Sequence, residues 1–156
     1  MPADSRKLPN YIQKAPRGDW ILIEENKRSA KFRNSNQHSI LIVHVDGGLV
    51  TEGERADYIV AHPKALDVVI ELKGSDVGKA IRQIRATRQV WLRHELAGAT
   101  MGALVVRGPG VHPKTTASID RWQREFRKTF KMKLLVETRN RAYEFGEFLL
   151  PEASRA

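Results

Sequence analysis

The stretch Glu54–Thr87, ERADYIVAHPKALDVVIELKGSDVGKAIRQIRAT, decides how this chain folds. It opens with two apolar, β-branched runs, Tyr58-Ile59-Val60 and Val68-Val69-Ile70, each of which reads as a strand. Pro63 and Lys64 lie between them and mark a turn, so the two runs form a hairpin. Side chains alternate along a strand. Asp67, Val69, Glu71 and Lys73 therefore share one face, and Val68, Ile70 and Leu72 share an apolar face that belongs in a core. On the first strand Asp57, Ile59 and Ala61 line up, opposed to Ala56, Tyr58 and Val60. A turn centred near Lys64 sets Asp57 opposite Glu71, and a slip of one residue would send one carboxylate to the wrong face. After Lys73 the period changes. Gly74-Ser75-Asp76 is a break with a helix cap, through Ser75 or Asp76. Val77, Ala80, Ile81, Ile84, Thr87 and Trp91 then recur at helical spacing, in a helix expected to run to about Ala97.

Two carboxylates and a lysine on an otherwise apolar strand pair are costly to bury. Paired carboxylates suit a hard cation such as Mg²⁺, which takes oxygen ligands and keeps several waters. The other reading is a structural salt bridge, Lys73 with Asp57 or Glu71 at a sheet edge. Spacing alone does not choose between them.

The pattern Asp57, thirteen residues, then Glu71-Leu72-Lys73 resembles the PD-(D/E)xK nuclease superfamily, over about residues 40 to 140. The resemblance implies an α/β fold with the restriction-endonuclease-like αβββαβ core, a mixed sheet flanked by helices. It implies one or two Mg²⁺ (or Mn²⁺) ions on Asp57, Glu71 and the backbone carbonyl of Leu72. Lys73 would assist the attacking water, and a further acid from the first helix would be Glu24 or Glu25. Ala56 stands where the nominal motif has proline. Gln83 and Thr87 resemble the Q-x-x-x-Y motif of RecB-type nucleases with Thr in place of Tyr, which implies that Gln83 orients substrate or water. The activity implied is a metal-dependent DNA endonuclease that hydrolyses phosphodiester bonds. Cutting selected by DNA structure is favoured over sequence-specific cutting, because no separate base-reading module is visible. Small members include dimeric junction resolvases, which brings in a homodimer. The alternative is a non-catalytic nuclease-like module that grips nucleic acid or serves in a larger complex.

Charge agrees with a polyanionic partner. The 156 residues carry 27 Lys and Arg against 18 Asp and Glu, a net +9, which favours nucleic acid over membrane. Lys79, Arg82 and Arg85 on the first helix, and Arg124 and Arg127 on the second, are the candidate DNA contacts; a merely solvated basic face is the competing account. No apolar run approaches the ~20 residues of a membrane span. The N-terminus lacks a signal-peptide core. The absence of cysteine excludes disulfides and thiolate zinc sites and is compatible with a cytoplasmic protein.

The chain divides into a flexible basic arm (1–18), one nuclease-like domain (19–150) and a tail (151–156). Asp19–Lys31 reads as a short helix or a strand. Ser39–Asp46 is a buried strand, and Asp46-Gly47-Gly48 turns it into a three-strand antiparallel meander. Ala103–Arg107 is a strand returning parallel after the crossover helix. Ser118 caps a second helix, with Ile119, Trp122, Phe126 and Phe130 as its apolar stripe. Met132–Thr138 is a strand, and residues 144–150 are a short helix or edge strand.

Overall fold

The computed structural model describes residues 7–25, 27–63, 65–72, 76–108 and 113–151, without side chains at 113–116. Lys73, and Ser75 as a helix cap, lie outside the described residues. The fold is mixed α/β in three layers. A six-stranded sheet forms the middle, in the order β1-β4-β5-β6-β7-β8. Its strands are β1 (Ile12–Lys14), β4 (Leu41–His44), β5 (Tyr58–His62), β6 (Leu66–Glu71), β7 (Met101–Val106) and β8 (Lys133–Glu137). The first four run antiparallel to their neighbours; β6, β7 and β8 are parallel. Parallel neighbours need long crossovers. These are supplied by α1 (Val77–Leu92) and by α2 (Pro113–Glu125), which runs on into a π-helical turn, Phe126–Phe130.

Alternation along the strands sorts the interior into two cores. From β4 to β7 odd-numbered residues, such as Val43, Ile59, Val69, Ala103 and Val105, meet the helices, joined by Ile12 of β1 and Leu134 of β8. Even-numbered residues, such as Ile42, Val60, Val68, Ile70, Leu72 and Leu104, meet a second sheet. A strand with both faces covered reads as a continuous apolar run, which is why β6 and β7 are buried at every position. The α1 stripe is Val77, Ala80, Ile81, Ile84, Thr87 and Trp91, all buried, as its 3.6-residue spacing predicts. Each buried Val or Ile there contributes about 1.5–3 kcal/mol.

The second sheet joins β2 (Trp20–Glu25), β3 (Arg28–Arg33) and β9 (Arg141–Tyr143) in that order. Segment 19–25 is therefore strand: Ile21 and Ile23 are buried while Trp20 and Leu22 are exposed, a period of two. Phe32 lies against Tyr143, Phe145 and Phe148. Phe148 belongs to a 3₁₀ turn, Phe145–Phe148, that rests on β7 where Gly102 leaves room. A Cβ on Gly102 would come within 2.8 Å of the Phe148 Cβ.

Three expectations need correction. Part of the segment read as a flexible arm is β1, because Ile12 is buried and covers the outer edge of β4. Helix α1 stops at Leu92, not Ala97: Arg93 and His94 N–H close back on Val90 and Trp91 carbonyls. Helix α2 starts at Pro113, where proline's missing N–H costs nothing, so Ser118 is interior and no cap. Among the described residues no helix is long and apolar enough to cross a membrane.

Candidate active site at the end of the central strand

Asp57 and Glu71 meet where β5 and β6 part. The antiparallel register pairs Tyr58 with Ile70, and one residue further sets Asp57 across from Glu71. Both have odd-face parity, so both stand on the helix side of the sheet. Cross-strand neighbours of this kind hold their Cβ atoms about 4.5–5.5 Å apart. Both are nearly sealed from solvent, at 4% and 2% exposure. The ladder is already irregular there. Asp57 N–H donates to the Ile70 carbonyl at 3.0 Å, and Val45 N–H donates to the Asp57 carbonyl at 3.0 Å. The Leu72 N–H is taken by the Asp57 carboxylate, 2.8 Å from Oδ2. The acid side chain thus fills the place of the next main-chain acceptor, which fixes its rotamer as the strands separate.

Helix α1 contributes the other wall. Thr87 Oγ1 accepts from the Ala56 N–H at 2.8 Å, anchoring the backbone just ahead of Asp57. Thr87 is a positioning residue that sequence reasoning treated only as part of the apolar stripe and of a partial motif. One and two turns earlier on the helix, Gln83 and Lys79 open with Asp57 into a cleft of about 460 Å³. Asp46 and Glu54 at its rim are paired with Arg55 and Arg82, at 2.6 and 3.1 Å. Among the described residues the Lys79 ammonium has no ion pair.

The remaining candidate residues divide. Glu24 and Glu25 sit on β2, in the sheet packed against the opposite face, so the structure does not bring either to Asp57 and Glu71. Their strand was the segment left open between helix and strand, and its period of two removes them from a first helix. Of the basic residues, Arg82 is engaged by Glu54. Arg85 is engaged by Glu125 and lies over the Phe126 and Phe130 rings, with Arg88 over Phe130 at 4.4 Å. Part of the basic stripe thus packs α1 onto the end of α2. Arg124 and Arg127 are exposed.

Among the described residues no three His, Cys, Asp or Glu side chains gather into a metal-binding group. Two adjacent carboxylates nonetheless fit Mg²⁺, which is commonly held by one or two carboxylates plus substrate phosphates. They fit a cation shared with substrate better than a self-sufficient cage.

Two further buried charges on this face were not singled out from sequence. Asp67, at the start of β6, is 1% exposed. Its Oδ2 accepts from Trp91 Nε1 at 2.8 Å and Gly98 N–H at 2.7 Å. Burial pushes its pKa up, against those two hydrogen bonds and the nearby His62. Arg107 follows β7 directly and is 4% exposed. The only available signal was a charge at one end of each apolar run.

No family model, curated protein or solved structure matches the chain.

Proposed function

We propose that the protein is a metal-dependent phosphodiester hydrolase of the PD-(D/E)xK type acting on DNA, with selection by DNA structure favoured. The observation that carries this reading is the pair Asp57 and Glu71, buried side by side at the end of a central strand. Two like charges in such a place are expensive, and a divalent cation offsets that cost. From β4 onward the order β4-β5-β6-α1-β7 also matches the last five elements of an αβββαβ core. Among the described residues a strand hairpin, not a helix, precedes it.

When bound, Mg²⁺ supplies a lowered pKa for water and charge stabilisation at phosphorus. The chain's own residues do the rest. Asp57, held by Leu72 N–H, and Glu71 orient the cation; the Leu72 carbonyl is a third candidate ligand. Gln83 and Lys79 face substrate across the cleft, and Lys73 is assigned the water by resemblance. Arg124 and Arg127 hold flanking phosphates, with Arg82 and Arg85 freed for that role only when they leave Glu54 and Glu125. A homodimer would present two such sites to one branched substrate.

The test is a panel of labelled duplexes, flaps and junctions incubated with Mg²⁺, Mn²⁺ or EDTA. Cleavage with metal, absent in EDTA and in Asp57→Asn, is the expected result. Binding without cutting of any member would replace this reading with the second one, a non-catalytic nucleic-acid-binding module. The placement of Glu24 and Glu25 away from the carboxylate pair favours that second account.

A further inference from the structure

Among the described residues Arg107 is a buried cation with no ion pair. Its backbone N–H donates to the Glu137 carbonyl at 2.8 Å, which keeps it in line with β8. Two residues earlier, Val105 is the register partner of Glu71. Alternation from Ala103 and Val105, both in the helix-side core, puts the Arg107 side chain on the helix side too. Gly108 gives the same answer independently: a Cβ there would lie 2.6 Å from Arg28 Nη2, on the second-sheet side. Arg107 therefore shares its face and its end of the sheet with Asp57 and Glu71, one strand beyond Glu71.

Two of the three nitrogens of its guanidinium are sealed and unsatisfied. Among the described residues neither Nε nor Nη1 has a hydrogen-bond partner, although both are closed to solvent. Arg141 shows what a built-in partnership looks like, with Glu137 at 3.1 Å and Glu147 at 2.9 Å. A lone buried charge weakens a fold unless something outside the chain completes it. A guanidinium presents a planar fork that matches two oxygens of a phosphate. A cation on this face also offsets the repulsion between the carboxylates Asp57 and Glu71 and a phosphodiester.

We propose that Arg107 is an anion-binding residue that grips a non-bridging oxygen pair of a backbone phosphodiester lying across the ends of β6 and β7. The nucleic-acid identity of that phosphate rests on the function proposed above; the anion site itself rests on Arg107. The mode of action is positioning and neutralisation through the guanidinium fork, without a covalent step.

The experiment is thermal melting of the full chain in EDTA, with inorganic phosphate titrated against sodium chloride of equal ionic strength. Wild type, Arg107→Met, Arg107→Gln, Arg107→Lys and the surface control Lys31→Ala, on the far sheet, are compared. Phosphate should raise the melting temperature of wild type and Lys31→Ala, raise that of Arg107→Lys less, and leave Arg107→Met unmoved. Without phosphate, Arg107→Met should melt at or above wild type, because no unpaired charge remains to be buried. A short duplex in EDTA should bind Arg107→Met at least about tenfold more weakly, the loss expected for one charge-assisted contact. Equal phosphate responses in wild type and Arg107→Met would overturn the proposal. So would low melting of both Arg107→Met and Arg107→Gln, which would make the side chain a structural one. A phosphate response with unchanged duplex binding would reduce the site to a free-anion site and overturn the phosphodiester assignment. If wild type cuts no DNA yet its phosphate response depends on Arg107, the hydrolase reading fails and this site stands. If Arg107→Met cuts DNA and responds to phosphate like wild type, the reverse holds.

Discussion

The helix face of β6 carries a buried acid near each end, Asp67 and Glu71, and the surroundings of the two differ. At Asp67 the donors come from elements that pack there anyway: the Trp91 indole at the end of α1 and the Gly98 amide in the turn that follows. The indole is itself stacked on His94 at 4.6 Å. At the other end a second carboxylate, Asp57, stands beside the first, and Arg107, which has no ion pair among the described residues, lies one strand away. Where the fold supplies its own hydrogen-bond partners, the charge is a structural pin. Where two carboxylates and an arginine come to one strand end beside an open cleft, the arrangement suits a ligand instead.

The sharpest way to break that contrast is at the ligand end. Asp57→Ala and Glu71→Ala should each lower DNA cleavage by about 10³-fold or more, the several kcal/mol that a positioned metal supplies. Asp57→Ala also removes the acceptor of the Leu72 N–H and should melt lower, whereas Asp57→Asn keeps an acceptor and relieves the like-charge crowding, so its melting temperature should hold or rise. Initial rates on labelled DNA with Mg²⁺, beside a melting curve, check both halves. Wild-type rates in either variant would end the assignment.

At the structural end the pattern should invert. Asp67→Ala strands the Trp91 indole and the Gly98 amide and should cost about 2–5 kcal/mol in denaturant unfolding, while folded protein keeps its cleavage rate. Asp67→Asn tests the electrostatics separately. Burial raises the folded-state pKa of Asp67 above its ordinary 3.8, so the folded state binds the extra proton. Its contribution is therefore fully present below 3.8 and is lost as pH climbs through the raised value. The stability difference between Asp67→Asn and wild type should drift in favour of the variant as pH rises from that point. A difference independent of pH would mean that Asp67 ionises in the fold as it does in water.

The smallest effect concerns the outer charges. Each phosphate contact contributes about −0.9 to the log–log salt slope of duplex binding. Replacing Arg124 and Arg127 by Ala should flatten the slope by about one to two units. Replacing Arg82 and Arg85 should change it less, because Glu54 and Glu125 already occupy them. Equal changes in the two double variants would show that those pairs open on binding.

How far the sequence could be read depended on how much each residue's neighbours constrained it. The β5–β6 register was legible because Val68, Ile70 and Leu72 must enter one core together, which leaves Asp57 and Glu71 no freedom of face. The α1 stripe was legible for the same reason. The second sheet was not. Strand β9 has three residues, too few for a period, and its partner β3 is polar at alternate positions with only Ala30 and Phe32 buried. Thr87 and Arg107 escaped because their roles exist only across the fold. A threonine in an apolar stripe looks like filler until the Ala56 amide arrives, and an arginine after ALVV looks like the end of a strand. Glu24 and Glu25 were candidates only while their segment could still be a helix.

The parallel pairing of β3 with β9 brings together residues such as Ser29 and Asn140, 111 positions apart in the chain. During synthesis the hairpin β2–β3 emerges early and can form by itself, yet its apolar side waits for Tyr143 and Phe148, which emerge much later. Contacts of such long sequence separation slow folding and leave hydrophobic strands uncovered meanwhile. A nascent chain stopped before Arg141 would hold the central strands and both helices but present Ile21, Ile23 and Phe32 without their lid of aromatic rings. The cell would meet it as a sticky intermediate, and chaperone occupancy on stalled chains should fall once the ribosome passes that last short strand.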